Sequence, residues 1–210
     1  MQILAHRGFW QHPDERNSRA ALNTAFRHGL GIETDIRDLN GKLVISHDMP
    51  RTGALQLDIM LDDYLKAEQP GCLALNIKAD GLASTLKQML CERNITHYFC
   101  FDMSVPDTLA YLQEDMPVAA RLSEYESPGM LTDMAPFIWM DQFHPADLPA
   151  NTLQHWLSAG KQVCLVSPEL HGRAPESLWA ALAEMPESVR RHPGLMLCTD
   201  FPERAGRTLA

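Results

Sequence analysis

Two carboxylates stand two residues apart, Glu33 and Asp35, inside the run Gly31-Ile32-Glu33-Thr34-Asp35-Ile36. On a strand, residues i and i+2 share a face, so both acids project to one side. Close together they repel, and neither ionises freely. A hard divalent cation removes that conflict, and all-oxygen ligation suits Mg²⁺ or Ca²⁺. The bland alternative is a solvent-facing edge with Arg37 as counter-ion. The flanking Ile32 and Ile36 favour a buried strand instead, and with it a metal or active site.

His6, Arg7 and Gly8 follow the first apolar run. Arginine suits bidentate contact with phosphate, glycine permits close backbone approach, and histidine exchanges protons near neutral pH. A lone histidine is usually structural. Here a second one, His47, also follows an apolar β-like arm and precedes an acid, Asp48. Two histidines, an arginine and a cation site form a set for phosphoryl transfer, one histidine taking a proton from the nucleophile and the other protonating the leaving group. Lys78 adds positive charge where it builds up in the transition state. Trp10 either lines a pocket mouth or covers the end of the fold. Arg121 ends another apolar run. The other seven histidines show no ligand spacing, and most read as surface residues. No G-x-G-x-x-G or Walker motif occurs.

The elements that must position these groups are short apolar runs: 2–5, 31–36, 72–77, 98–101, 117–120, 137–140, 162–166 and 195–198. Between them lie stretches with helical spacing at 18–28, 82–90, 105–112, 146–157 and 176–182. Lys42–Ser46 after Asn40-Gly41 reads as a hairpin arm. Eight strands alternating with helices predict a parallel sheet covered by helices, either a closed (β/α)₈ TIM barrel or an open doubly wound sheet. In the barrel, chemistry sits at the C-terminal strand ends. That is where His6, Glu33, Asp35, Asn76, Lys78, Asp102, Arg121, Asp141, Glu169 and Asp200 fall.

The chain has 210 residues, 45% hydrophobic and 21% charged, which excludes global disorder and fits one small barrel domain over 1–210 with short loops and no large insertion. A formal net charge of −9 argues against a nucleic-acid binder. Five cysteines without a CxxC pair argue against a disulfide scaffold or a cysteine zinc site. No apolar run approaches a membrane span, and a polar His6-Arg7 soon after Met1 does not read as a leader. The expectation is a cytoplasmic protein acting on a small molecule, its oligomeric state unread.

Ala5-His6-Arg7-Gly8, Asn17-Ser18, Gly31-Ile32-Glu33-Thr34-Asp35 and Asn40-Gly41 through His47-Asp48, in this order and spacing, resemble the glycerophosphodiester phosphodiesterases. The match is strong over residues 3–50. Leu75-Asn76-Ile77-Lys78 and Thr199-Asp200-Phe201-Pro202 extend it more thinly. The resemblance implies a (β/α)₈ barrel of the phospholipase-C-like superfamily, a place in lipid metabolism and metal-dependent cleavage of a phosphodiester. It makes His6 and His47 the acid–base pair and sets Arg7 and Lys78 on the phosphate. Glu33 and Asp35 then hold Mg²⁺ or Ca²⁺, with Asn76 as third ligand, and Trp10 and Arg121 are further substrate contacts. Family members often use a substrate hydroxyl as internal nucleophile, giving a cyclic phosphate that water opens. Two other outcomes stay open: a lyase-like enzyme that releases the cyclic phosphate, and a degenerate barrel that binds a phosphorylated ligand without turnover.

Three departures stand out. Asn76 replaces a glutamate usual in the family, which predicts weaker cation binding or compensation by Asp102, Asp141 or Glu169. Arg16 replaces the usual glutamate before Asn17. The short connection from His47 to Cys72 predicts an open pocket.

Overall fold

The apolar runs become strands, and eight of them pair in parallel. The structure, a computed structural model, describes residues 1–209. Numbered along the chain, the strands are β1 (Gln2–His6), β2 (Gly31–Leu39), β3 (Lys42–Ile45), β4 (Leu55–Gln56), β5 (Leu73–Ile77), β6 (Tyr98–Phe101), β7 (Ala119–Leu122), β8 (Phe137–Met140), β9 (Gln162–Val166) and β10 (Leu195–Thr199). β1 pairs with β2 and β10, β2 continues to β5 and β6, and β10 continues through β9 and β8 to β7. A single parallel bridge, Cys100 to Val118, joins the two ends, and the Cys100 N–H donates to the Pro117 carbonyl at 2.9 Å. The ring is closed, so the barrel expected from the alternation forms and the open sheet does not. Pro117 has no N–H to give a ladder, which is why β7 starts at Ala119 and this join is thin.

β3 and β4 extend antiparallel from β2. Asn40 and Gly41 turn that hairpin at φ 51° and 76°, the left-handed pair a tight two-residue turn needs.

Alternate strand residues fill the barrel. Leu4, Phe99, Phe101, Phe137, Trp139 and Met196 pack with smaller Cys72, Ala74, Ala119, Cys164 and Cys198 in one buried cluster. Phe101 stacks on Trp139 with ring centres 4.0 Å apart, and Phe99 on Phe137 at 4.6 Å. The cysteines here are free thiols whose burial raises their pKa, that of Cys72 to about 12. They fill space rather than react.

Helices α1 (Arg19–Arg27), α2 (Leu57–Lys66), α3 (Ala83–Glu92), α4 (Val105–Gln113), α5 (Met130–Met134), α6 (Ala150–Ser158), α7 (Glu176–Ala183), α8 (Glu187–Arg190) and α9 (Pro202–Leu209) surround the barrel. Ser18 caps α1, its Oγ accepting from the Ala21 N–H at 3.1 Å. α2 fills the connection after the hairpin, burying Leu57, Met60, Leu61 and Tyr64. The short link from His47 to Cys72 is thus a complete crossover with no lid inserted.

Asp63 on α2 ties this helix to α1. Arg19 Nε and Nη2 donate to its two oxygens at 2.6 and 2.8 Å, and Asn23 Nδ2 donates at 3.1 Å. The Arg19 guanidinium is the main cause holding the Asp63 carboxyl at about 2. Its contribution to stability is full above the unfolded value of 3.8 and is lost as pH falls through 2. Because Arg19 is half exposed, Asp63→Asn costs about 1 kcal/mol, read as a lower urea midpoint at neutral pH. An unchanged midpoint refutes this.

Candidate active site

The C-terminal ends of the strands gather the polar residues into one mouth. β1 delivers His6, and the chain then turns through Arg7 at φ 56° and Gly8 at φ 90°. A Cβ on Gly8 would lie 2.7 Å from the Ala21 carbonyl carbon, so this glycine serves the close approach of α1 rather than of a ligand. Asn17, left-handed at φ 60°, donates its N–H to the Arg7 carbonyl at 2.9 Å.

Glu33 and Asp35 project inward from β2 and are buried. Asn17 Nδ2 donates to Asp35 Oδ2 at 2.8 Å, while its Oδ1 accepts from Thr34 at 2.8 Å. Arg7 Nε lies 3.0 Å from Asp35 Oδ2 and Lys78 Nζ 3.5 Å from Asp35 Oδ1. Two cations therefore face Asp35. Glu33 has His6 as its one ion-pair neighbour, Nε2 at 3.7 Å from its Oε2, with the Arg7 and Lys78 charges acting from further off, and accepts from Asn76 Nδ2 at 3.2 Å. Burial, and secondly the charge of Asp35, push the Glu33 carboxyl up to about 7.

His6 is oriented from behind. Its Nδ1 lies 2.6 Å from Asp200 Oδ1. Asp200 is itself held by Arg16 Nη2 at 2.9 Å, and the Arg16 guanidinium stacks on the Trp10 ring at 4.4 Å. Trp10 Nε1 donates to the His6 carbonyl at 3.0 Å. With Nδ1–H given to the carboxylate, Nε2 is the free nitrogen facing the acids.

His47 sits apart from this cluster. It follows Ser46, whose N–H donates to the Asp35 carbonyl at 3.0 Å, so the hairpin brings it to the same rim. Its side chain is 47% exposed, with Nδ1 2.8 Å from Asp48 Oδ1. His47 is the main cause that lowers the Asp48 carboxyl, and the Arg7 charge adds to it. Lys78 also lies 3.7 Å from Asp102, which pairs with Arg121 at 3.3 Å; Arg121 Nε reaches Glu126 at 2.8 Å.

The three acids named as compensation for Asn76 all have polar neighbours. Glu169 is engaged by Ser167, Thr199 and the Asp200 N–H. Asp141 holds His171 at 2.7 Å, and Asp102 faces Lys78 and Arg121. Each acid is already committed to a neighbour of its own. Among the described residues no three His, Cys, Asp or Glu side chains form a metal-binding group. His171, one of the seven histidines without ligand spacing, pairs with a buried acid. Asp200, Arg16 and Asn17 join the site although none was singled out for a role. Their signal was position: Asp200 ends the last strand, and Arg16-Asn17 precede the cap of α1.

Buried polar atoms that make no hydrogen bond concentrate here. Among the described residues, seven of eleven are in the mouth: Arg7 Nε, Asp35 Oδ1, Asp102 Oδ1 and Arg121 Nε, which stand in the ion pairs given above, and Arg16 Nε, Glu33 Oε2 and Asn76 Oδ1. Such groups are costly unless something binds them.

The sequence matches no family model and no curated protein. The structure does superpose on solved ones. A glycerophosphodiester phosphodiesterase from Agrobacterium tumefaciens str. C58 is 15% identical at a TM-score of 0.68, over 99% of this chain and 98% of that one. A phosphodiesterase from Oleispira antarctica, in complex with the product sn-glycerol-3-phosphate, is 17% identical at 0.66, over 100% and 96%. The fold is that of the glycerophosphodiester phosphodiesterases. A Ca²⁺-dependent phosphatidylinositol-specific phospholipase C from Streptomyces antibioticus shares it at 9% identity and 0.58, over 100% and 96%. The expectation drawn from the motifs is thereby met for the fold, and no helix among the described residues is long and apolar enough to cross a membrane.

Proposed function

We propose that this protein is a phosphoric diester hydrolase acting on a glycerophosphodiester-type substrate. The observation that carries the reading is the meeting at the barrel mouth of basic Arg7, Lys78 and Arg121 with the buried oxygens of Glu33, Asp35 and Asn76, of which Glu33 Oε2 and Asn76 Oδ1 make no hydrogen bond. A phosphodiester offers oxygens to the first, and a cation offers charge to the second. Neighbours with this fold include one bound to sn-glycerol-3-phosphate, which supports the substrate class.

The donor set fits a divalent cation. Glu33 Oε2, Asp35 Oδ1 and Asn76 Oδ1 are buried oxygens that accept no hydrogen bond, and hard cations take oxygen ligands. These three residues would hold Mg²⁺ or Ca²⁺. When bound, the ion supplies Lewis-acid polarisation of a phosphoryl oxygen.

Arg7 and Lys78 orient the phosphate and offset the charge gathering on its oxygens. His6, fixed by Asp200, takes the proton of the attacking hydroxyl at Nε2. The P–O bond to the leaving alcohol breaks as the new one forms, and where the hydroxyl is the substrate's own, water then opens the cyclic phosphate with the two histidines in exchanged roles. His47, on the exposed rim, gives its proton to the departing oxygen, where the alcohol meets solvent. Trp10 walls the His6 side.

A panel of glycerophosphodiesters incubated with Mg²⁺, Ca²⁺ or chelator, followed by phosphorus NMR, tests this. Release of a phosphomonoester that stops with chelator is expected. A persistent cyclic phosphate assigns a lyase-like reaction instead, and binding without turnover assigns a degenerate barrel.

A further inference from the structure

The thin join of the barrel opens a second space. Where β6 and β7 meet only through the Cys100–Val118 bridge, a cavity of about 410 Å³ enters between α4 and α5. That size is within the range of about 300–1,000 Å³ usual for small-ligand sites. Its floor and walls include Met103, Val118, Ala120 and Leu131, and its inner edge is Asp102 and Arg121. Both edge residues belong to the mouth already described: Asp102 faces Lys78, and Arg121 is pinned between Asp102 and Glu126. The cavity therefore adjoins the phosphate-facing groups, with Asp102 between it and Lys78.

Its outer lips are apolar and exposed. Val105 is 58% exposed and Met130 78%, one on each side. Leu109 and Met134 follow them one turn on, at i+4 on the same helix faces, and are exposed too. Two of the seven exposed large hydrophobic side chains among the described residues line this one opening, and two more lie a turn further along the same helices. Apolar side chains concentrated beside a polar site mark a place where apolar ligand surface is taken from water.

We propose that this cavity holds an alkyl or acyl chain carried by one alcohol of the substrate, so that the diester lies with its phosphate at Arg7 and Lys78 and its chain between α4 and α5. This rests on the phosphodiesterase reading and adds the substrate class to it. Arg121, held by two acids, forms the step between the polar and apolar halves, and the substrate crosses it.

The test is chain-length dependence. With ethyl, hexyl and decyl esters of glycerol phosphate, kcat/KM rises about threefold per added methylene while the chain still gains contact. Met130→Glu, which places a charge on an exposed lip, and Leu131→Trp, which fills the cavity, each flatten the ethyl-to-hexyl ratio by about tenfold or more. Met130→Leu keeps it. A ratio that is flat in the native protein, or equally steep in both altered proteins, overturns the proposal. Should no diester be cleaved, the phosphodiesterase reading fails separately. Calorimetry with ethyl, hexyl and decyl phosphonate then reads the cavity alone: affinity that climbs with length supports the chain site, and affinity independent of length overturns it.

Discussion

Replacing His47 with alanine lowers kcat/KM for the diester by about 10²–10⁴-fold and leaves thermal unfolding unchanged. The side chain is half exposed and its partner, Asp48, is a surface acid, so nothing buried is uncovered when it goes. Replacing His6 costs activity on the same scale but also disturbs the fold slightly. Asp200 loses the ring 2.6 Å away and keeps only Arg16 as a charge partner, and Glu33 loses its nearest compensating group. The two variants thus separate proton transfer from scaffolding: both are slow enzymes, and only His6→Ala melts earlier. Steady-state kinetics paired with calorimetric melting checks this. Full activity in both variants removes the histidines from the mechanism and the phosphodiesterase reading with them.

His6 and His47 were both legible because the relevant rule is local. An apolar strand that ends in a polar residue puts that residue at the mouth, and His6, Glu33, Asp35, Asn76, Lys78 and Arg121 all follow it. What makes His6 directional was not legible. Asp200 lies 194 positions away, and only closure of β10 onto β1 brings the two together. Arg16 read as the loss of a carboxylate. In three dimensions it clamps Asp200 and stacks on Trp10, a role that depends on the left-handed turn at Asn17. The fate of Glu169 was hidden for a similar reason. Two hydroxyls and a backbone N–H at the C-terminal ends of β9 and β10 and just beyond them absorb it, and no spacing in the chain announces that. α2 was written plainly in Leu57, Met60, Leu61 and Tyr64, at helical intervals. It lay in a stretch that the alternation of runs treated as a connection.

Glu33 gives the second large effect, in stability. In the cation-free protein its carboxyl sits near 7, burial being the first cause and the Asp35 charge the second, against 4.5 in the unfolded chain. A buried acid raised in this way favours the fold while protonated. Its contribution is full below 4.5 and is lost as pH rises through 7, roughly 3 kcal/mol across that window at about 1.36 kcal/mol per pKa unit. Glu33→Gln keeps the shape, removes the charge and so abolishes this slope, and the variant overtakes the native protein above neutral pH. Denaturant midpoints measured from acid to mildly alkaline pH check the prediction. Equal slopes in the two proteins defeat it. A divalent cation works against the same quantity, because it binds the carboxylate form and expels the proton. Mg²⁺ or Ca²⁺ therefore stabilises the native protein most on the alkaline side of 7, and chelation returns the slope. Near pH 6 cation binding releases close to one proton, seen as a dependence of calorimetric heat on buffer ionisation. Glu33→Gln shows no such proton release, because a side chain that never carried the charge has no proton to give up. The acid that weakens the empty fold is, on this account, the one that would bind the cation.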